Sequence, residues 1–218
     1  MGHVLICGMT ESGKSTLGKH FVREHQARGI GTIVLDPLND PEWAADYQTD
    51  QKDDFLAVVK QSRKCALFVD ESGEQIGHYS DEMFWLATRA RHYGHKSYFL
   101  SQRAQQISPT VRTQCSTLAL FNVSKKDAEI LADDFNRPEL KEANQLRQFE
   151  FFLVNRFGPT RRFKTRPLGE GEAVDSVDRS DPEGHDVPAD VSGRGGAKPR
   201  RTRARQKQSG SQVGNTGA

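Results

Sequence analysis

The sequence is poor in cysteine and has no long apolar run, and each absence excludes a class of protein. Its 218 residues include three cysteines, which lie far apart without a CxxC pair, so disulfide and zinc roles are not expected. No stretch approaches the roughly 18 consecutive apolar residues that a membrane-spanning helix needs. An apolar strand pattern begins at residue 3, without the regions of a signal peptide. We therefore expect a cytosolic location.

Charge is distributed unevenly along the chain, although the formal net charge is only +2. Residues 170–190 contain eight acidic residues and one arginine, Arg179. Residues 198–207 contain no acidic residue and six basic ones: Lys198, Arg200, Arg201, Arg203, Arg205 and Lys207. Blocks of like charge among Gly, Ser and Pro bury too little apolar surface to fold. We predict one folded domain over residues 1–166 and a disordered tail over residues 167–218.

The first part of the chain alternates between short apolar runs and stretches with helical spacing. The apolar runs predict strands over residues 3–7, 31–36, 65–70, 97–102, 116–123 and 149–155. Helices are predicted over residues 17–26, 52–62, 81–93 and 125–134. This alternation predicts an α/β fold, a mostly parallel sheet with helices on both faces and a ligand site at the carboxyl ends of the strands.

A glycine-rich segment lies between the first strand and the first helix. Residues 8–15 read GMTESGKS and match G-x-x-x-x-G-K-[ST]. Gly8 and Gly13 let the backbone curl so that its N–H groups converge on phosphate, Lys14 reaches the β and γ phosphates, and Ser15 offers a hydroxyl to Mg²⁺. The alternative is a glycine turn that matches by chance. The predicted nucleotide-binding residues are Gly8, Met9, Thr10, Glu11, Ser12, Gly13, Lys14, Ser15 and Thr16.

Two adjacent carboxylates follow the third predicted strand. Asp70 and Glu71 come directly after an apolar run, at the edge of the sheet where the glycine loop is expected. We predict that Asp70 and Ser15 hold Mg²⁺ and that Glu71 polarises the water that attacks the γ phosphate. The alternative is a solvated turn or a helix cap. Because phosphotransferases should exclude water, the glutamate favours ATP hydrolysis over a kinase reaction.

The motifs and their order resemble the FtsK/HerA superfamily of DNA-pumping ATPases, and within it the small genome-packaging ATPases of tailless icosahedral viruses with an internal membrane. The resemblance covers residues 4–155. It depends on five segments: Walker A at residues 8–15, VLDP at 34–37, Walker B at 67–71, RARHYG at 89–94 and SQR at 101–103. The segment after SQR, residues 105–115, also resembles the family.

The resemblance implies roles for three further residues. Gln102 corresponds to the polar residue that senses the γ phosphate, with the alternative that it only satisfies a strand-end backbone group. Arg91 or Arg89 corresponds to an arginine finger that enters the site of a neighbouring subunit. Two residues that are two positions apart on a helix point about 200° away from each other, so only one of them can face that site. We prefer Arg91. The role of Asp36 stays open between a family position and a turn cap.

The resemblance also implies cofactors, partners and a location. The chain would use ATP and Mg²⁺, form a homo-oligomeric ring with a hexamer as the expected size, and pump double-stranded DNA into a preformed capsid. A portal vertex or a membrane protein of the particle would be a further partner. The expected location is the host cytoplasm, at the packaging vertex of the virion. The six basic residues at 198–207 would bind DNA phosphates, with simple solvating sequence as the alternative.

Three other readings stay open at this stage. A plasmid or cellular DNA-transfer ATPase of the FtsK/HerA type could carry the same motifs. A small P-loop nucleotide kinase fits the length, although the turn after strand two, DPLNDPEW, has no arginine for an acceptor substrate. A noncatalytic switch protein would need neither Glu71 nor Gln102.

Substitutions of Lys14 and Glu71 should separate nucleotide binding from hydrolysis. We expect Lys14→Ala to lose ATP affinity because the ammonium no longer neutralises phosphate charge. Glu71→Gln should bind ATP and lose turnover by about 100-fold or more, since the water loses its polarising group. Equilibrium ATP binding and phosphate release check both variants. If Glu71→Gln keeps most of its turnover while its ATP affinity falls, Glu71 is not the catalytic carboxylate.

Overall fold

The computed structural model describes residues 2–70, 81–169 and 174–176. Its strands are β1 (His3–Cys7), β2 (Thr32–Leu35), β3 (Tyr47–Thr49), β4 (Ala66–Val69), β5 (Lys96–Ser101), β6 (Cys115–Leu120), β7 (Glu150–Asn155), β8 (Thr160–Thr165) and β9 (Val174–Ser176). The α-helices of the described residues are α1 (Lys14–Ala27), α2 (Lys52–Gln61), α3 (Asp81–Thr88), α4 (Pro109–Gln114) and α5 (Lys125–Phe135). Short 3₁₀ helices cover Pro41–Trp43, Ala90–Tyr93, Ala104–Gln106 and Pro138–Gln145.

The described strands form one sheet with the order β3-β2-β4-β5-β1-β6-β7-β8-β9. The six strands from β3 to β6 pair in parallel, and β7, β8 and β9 continue the sheet in antiparallel pairing. The carboxyl ends of parallel strands lie together along one edge of the sheet. The glycine loop, Asp36, Asp70 and Gln102 each follow a strand whose carboxyl end lies there. This edge holds the predicted ligand site.

Alternate residues of β1 belong to two separate apolar clusters. Leu5 and Cys7 pack in the cluster that contains the buried residues of α2, α3, α4 and α5. Val4 and Ile6 pack in the cluster that contains the buried residues of α1 and Trp43. Since alternate residues of a strand point to opposite faces, helices cover both faces of the sheet. The predicted α/β fold with a mostly parallel sheet is confirmed.

The prediction of six strands missed β3, β8 and β9. Strand β3 has only three half-buried residues, and β8 is rich in arginine and lysine, so neither forms an apolar run. The helix predicted over residues 81–93 divides into α3 and a 3₁₀ helix that stops at Gly94, where φ is 80°. Strand β6 ends at Leu120, short of the predicted end at residue 123, and the next two residues, Phe121 and Asn122, hydrogen-bond to the end of β1 and to the glycine loop.

The domain boundary predicted at residue 166 falls directly after β8. Beyond it, β9 pairs antiparallel with β8, so part of the chain assigned to the tail belongs to the sheet. The six predicted DNA-binding residues of the tail lie outside the described residues. Within the described part of the chain, no helix is both long enough and apolar enough to span a membrane.

An arginine inside the fold supports the segment that follows β5. Arg112 is 7% exposed and pairs with Asp134 of α5 at 2.5 Å. Its Nη1 donates to the carbonyl oxygens of Ala104 and Ile107 at 3.0 and 2.6 Å. A buried guanidinium needs such partners to offset its lost hydration. It connects the chain after Gln102 to α4 and α5.

Candidate nucleotide site at the carboxyl edge of the sheet

The glycine loop adopts a backbone that its sequence makes possible. Gly13 has φ 112° and Glu11 has φ 62°, both in the left-handed region that glycine enters without steric cost. A Cβ on Gly13 would lie 2.8 Å from Cδ1 of Phe149. A Cβ on Gly8 would lie 2.6 Å from Cβ of Phe121. Both glycines of the motif are therefore required by conformation or by space.

Hydrogen bonds to the ends of other strands hold the loop in place. The amide of Gly8 donates to the carbonyl of Ser101 at 3.1 Å, and the amide of Met9 donates to Asn122 at 2.8 Å. The amide of Phe149 donates to the carbonyl of Ser12 at 2.9 Å. These contacts come from β5, from the residues after β6 and from the residue before β7. Three separate parts of the chain therefore fix the conformation of the loop.

The start of α1 offers positive electrostatic potential to an anion. Helix α1 begins at Lys14, and within the described residues no side chain caps its first turn and no acidic residue lies in that turn. The amides of a first turn have no acceptor inside the helix. Lys14 is buried, and its Nζ donates to the carbonyl of Met9 at 2.9 Å. Phosphate oxygens can replace this carbonyl as acceptors.

Ser15 and Asp70 meet at the edge of the sheet. The Ser15 hydroxyl donates to Oδ2 of Asp70 at 3.1 Å, and Asp70 is 8% exposed. A serine hydroxyl and a carboxylate are oxygen ligands of the kind that Mg²⁺ prefers, together with phosphate oxygens and water. The two predicted metal ligands therefore fit Mg²⁺. Glu71, the predicted catalytic carboxylate, lies outside the described residues.

Gln102 lies in the same cleft as the phosphate and metal residues. This cleft has a volume of about 180 Å³ and is lined by Thr10, Glu11, Lys14, Ser15, Asp36, Leu38, Asp70, Ser101 and Gln102. Strand β5 lies between β4 and β1 in the sheet, so Gln102 follows a strand flanked by those that carry Asp70 and the glycine loop. That position suits a residue that contacts the terminal phosphate.

Asp36 caps the turn that closes one side of the cleft. Its Oδ1 accepts from the amide of Leu38 at 3.0 Å, and its Oδ2 accepts from the amide of Asp40 at 2.7 Å. Lys19 of α1 pairs with Asp40 and Glu42 at 2.5 and 2.8 Å. Burial alone would lower the pKa of Lys19, but the hydrogen bonds that its ammonium donates to the two carboxylates raise the pKa above its usual value. Lys19 is therefore charged and connects this turn to α1.

Arg89 and Arg91 lie away from the cleft of their own subunit. Both side chains are exposed, and both residues precede β5, at the opposite edge of the sheet. Burial lowers the pKa of His3 to about 4, and the positive charge of Arg91 contributes to that shift. Since His3 begins β1, this interaction also puts Arg91 at the amino edge. Neither arginine can act within its own site in this arrangement.

The remaining residues of the loop differ in exposure. Met9, Thr10 and Glu11 are exposed, Ser12 is buried and Thr16 is half-buried. The exposed position of Glu11 reduces the conflict between its charge and the phosphates. Cys7, directly before the loop, is unreactive because burial raises its thiol pKa to about 12.

Two residues beside the loop carry no motif and were not predicted from the sequence. The Gln148 side chain donates from Nε2 to the carbonyl of Glu11 at 3.1 Å. Phe149 packs against Gly13 and has φ 67°. Both residues lie far along the chain from the glycine motif, and only the pairing of β7 with β6 brings them to the loop. The hydrophobicity pattern of the sequence does not indicate that these two residues lie beside the glycine loop.

Gly13 and Gly29, two of the glycines with positive φ, provide a matched pair of substitutions. Gly13→Ala should weaken ATP binding by about tenfold or more, because left-handed strain of about 1–3 kcal/mol adds to the clash with Phe149. Gly29 has φ 71°, and a Cβ added there by Gly29→Ala would meet no atom within 4 Å. This substitution should cost about 1–2 kcal/mol of unfolding free energy and leave ATP affinity unchanged. Titration calorimetry and urea unfolding check these values, and equal losses of ATP affinity would contradict the steric argument.

The chain resembles known proteins in its three-dimensional structure but not in its sequence. No protein-family model and no curated protein matches the chain. The genome packaging NTPase B204 from Sulfolobus turreted icosahedral virus 2, solved with ATP-gammaS, is 18% identical with a TM-score of 0.64. The match covers 77% of this chain and 98% of B204.

Two further solved structures share the fold. VirB4 of Thermoanaerobacter pseudethanolicus is 10% identical, with a TM-score of 0.59 and coverage of 77% of this chain and 90% of VirB4. The cytoplasmic domain of the type VII secretion ATPase EccC from Thermomonospora curvata is 13% identical with a TM-score of 0.51, over 79% of this chain and 27% of EccC. The chain therefore shares the α/β fold of B204, VirB4 and the EccC domain.

Proposed function

We propose that the chain is an ATPase of the FtsK/HerA type that hydrolyses ATP with Mg²⁺. The observation that carries this proposal is the 3.1 Å hydrogen bond between Ser15 and Asp70, in a cleft that also contains Lys14 and Gln102. A phosphate cradle, two oxygen ligands for a metal and a polar group near the terminal phosphate are the parts that this reaction uses. The fold similarity to B204 and VirB4 supports it.

The residues of the site divide the work of the reaction. The amides of the loop and of the first turn of α1 hold the phosphates, and Lys14 exchanges the Met9 carbonyl for phosphate oxygen. Ser15 and Asp70 would hold Mg²⁺, which would neutralise charge on the phosphates. Glu71 accepts a proton from the attacking water, and Gln102 contacts the γ phosphate. Lys14 and Asp70 are buried, which favours a site whose charges are arranged before the reaction.

We propose further that ATP hydrolysis drives double-stranded DNA through a homo-oligomeric ring, as the motor that packages a viral genome. The motif order of residues 8–103 and the fold similarity to a genome packaging NTPase support this reading. Arg89 and Arg91 are exposed at the edge of the sheet opposite the cleft, where they are available to a neighbouring subunit. A plasmid or cellular DNA-transfer ATPase is the alternative function. The fold similarity to VirB4 and EccC supports this alternative as well.

A kinase reaction fits the site less well. The turn after β2 would be expected to bind an acceptor substrate, yet Asp36 uses both carboxylate oxygens to cap that turn. Lys19, the cation beside the turn, is already paired with Asp40 and Glu42. The turn therefore offers an acidic, internally bonded surface.

The decisive experiment measures phosphate release by the full-length chain with Mg²⁺, with and without linear double-stranded DNA. The proposal expects basal hydrolysis that DNA stimulates severalfold and that EDTA abolishes. ADP formation only with a small-molecule acceptor would indicate a kinase, and ATP binding without turnover would indicate a switch protein. Hydrolysis unaffected by DNA would contradict translocation. Loss of packaged DNA from particles on deletion of the gene, with the protein recovered from wild-type particles, distinguishes a packaging motor from a plasmid or cellular transfer ATPase.

Arg91 should act on the site of a neighbouring subunit. We expect Arg91→Ala to assemble and to lose most of its hydrolysis, since the transferring phosphate loses a stabilising charge. Mixing Arg91→Ala with Glu71→Gln subunits should restore some activity at interfaces that combine an intact Glu71 with an intact Arg91. Lys60→Ala, an exposed substitution on α2, is the control. Failure to recover at any mixing ratio, with assembly intact, would argue against Arg91, and recovery with Arg89→Ala instead would identify Arg89 as the finger.

The basic segment of the tail should contribute to DNA affinity through salt-dependent contacts. Replacing its six basic residues with glutamine keeps the length of the tail and should leave basal ATPase activity unchanged. The slope of log affinity against log salt should flatten by a few units if most charges engage, at about 0.9 per phosphate. Fluorescence anisotropy over a salt series measures this slope. Equal slopes in the two proteins would assign the segment to solvating sequence.

A further inference from the structure

A second cleft adjoins the phosphate cleft on the other side of the glycine loop. It is lined by Glu11, Gly13, Lys14, Ser15, Thr16, Gln148 and Phe149. Glu11, Lys14 and Ser15 also line the cleft that contains Asp70 and Gln102. The two clefts therefore meet at the start of α1, and Asp70 and Gln102 line only the first of them.

This arrangement gives a direction to a bound nucleoside triphosphate. If Asp70 and Gln102 contact the γ-phosphate end, the phosphates run over Lys14 and Ser15 toward the second cleft. The ribose and the base must then leave the loop on the side of Thr16, Gln148 and Phe149. Base-binding sites combine apolar or aromatic surface with a few fixed polar groups. This cleft offers an aromatic ring, that of Phe149, and a polar side chain, that of Gln148.

Phe149 is held beside the loop in a strained conformation. Its φ of 67° is unfavourable for an aromatic residue, and such outliers concentrate at binding sites. Two backbone hydrogen bonds enforce it: its amide donates to Ser12 at 2.9 Å, and its carbonyl accepts from Thr165 at 2.8 Å. The side chain is only half-buried. An aromatic ring is thus fixed next to the loop while part of its surface is open to the cleft.

Gln148 presents a defined hydrogen-bonding group to the same cleft. Its Nε2 donates to the carbonyl of Glu11, which fixes the orientation of the amide and makes Oε1 the acceptor on the other side. Adenine carries an exocyclic amino group that donates, whereas guanine carries a carbonyl oxygen at the corresponding position. An acceptor at this point pairs with adenine and repels guanine.

We propose that Phe149 and Gln148 form the base subsite of the nucleotide pocket, with specificity for adenine. The ring of Phe149 stacks on the base, and Oε1 of Gln148 accepts a hydrogen bond from the exocyclic amino group. This inference depends on the proposed function, because it assumes that the triphosphate lies over the glycine loop. Packing of Phe149 against Gly13, without a role in binding, is the competing explanation.

The test compares ligands with and without a base. Binding of ATP, GTP and inorganic tripolyphosphate to full-length wild type, Phe149→Gly, Phe149→Tyr and Gln148→Ala is measured by titration calorimetry. Glycine adopts φ 67° without strain, so Phe149→Gly removes the ring while the loop backbone can keep its conformation. Phe157→Gly is the matched control, because Phe157 is 96% exposed in the turn between β7 and β8, at the opposite edge of the sheet.

We expect Phe149→Gly to weaken ATP binding by about tenfold or more, as the loss of one stacking partner does, and to leave tripolyphosphate binding unchanged. Phe149→Tyr and the control should bind ATP like wild type. Gln148→Ala should reduce the preference for ATP over GTP. Unchanged ATP affinity in Phe149→Gly would overturn the inference, and so would equal losses for ATP and tripolyphosphate, which would mean that the ring only supports the loop.

The wild-type protein separates failure of the inference from failure of the proposed function. Binding of tripolyphosphate as tightly as ATP would overturn the base subsite and leave the phosphate site intact. Binding of neither ligand would overturn the nucleotide site and the base subsite together.

Discussion

The backbone hydrogen bonds that hold the glycine loop are the constraint on which the rest of the site depends. Three of them join the loop to the end of β5, to Asn122 after β6 and to Phe149 before β7. Each partner comes from a different part of the chain, so the conformation of the loop depends on the tertiary structure. In turn, the loop determines where α1 begins, and α1 determines the positions of Lys14 and Ser15. Backbone groups far from the glycine motif in the chain therefore set the conformation of the loop.

The charged groups near the cleft are held by specific partners, and this explains how several of them can be buried together. Asp36 accepts two backbone amides, Lys19 has two carboxylates, and Asp70 accepts from Ser15. A buried charge without partners would lose its ionisation or destabilise the fold. Lys14 and the Ser15–Asp70 pair are the groups whose partners a nucleotide and Mg²⁺ can replace. The site thus combines a fixed acidic turn with exchangeable contacts at the phosphates.

The opposite edge of the sheet has a different character. Arg89 and Arg91 are exposed there, and Phe157 is 96% exposed in the turn between β7 and β8. A subunit with its cleft at one edge and candidate trans-acting arginines at the other suits an assembly in which one subunit's edge meets its neighbour's cleft. This geometry links the proposed hydrolysis to the proposed ring, because a site completed by a neighbour responds to that neighbour's position.

The sequence by itself determined the fold class, most of the parallel strands and the residues of the glycine motif, because periodic apolar runs and glycine spacing are local properties. It also placed Asp70 and Gln102 directly after apolar strands, and both line the cleft, while their roles stay predictions. It missed β3, β8 and β9, whose pairing depends on neighbouring strands more than on their own hydrophobicity. The tertiary structure alone decided that Asp36 caps a turn, that Arg89 and Arg91 lie far from their own cleft, and that Phe149 and Gln148 reach the loop. These outcomes depend on strand order, which brings together residues that are distant in the chain and leaves no trace in local spacing.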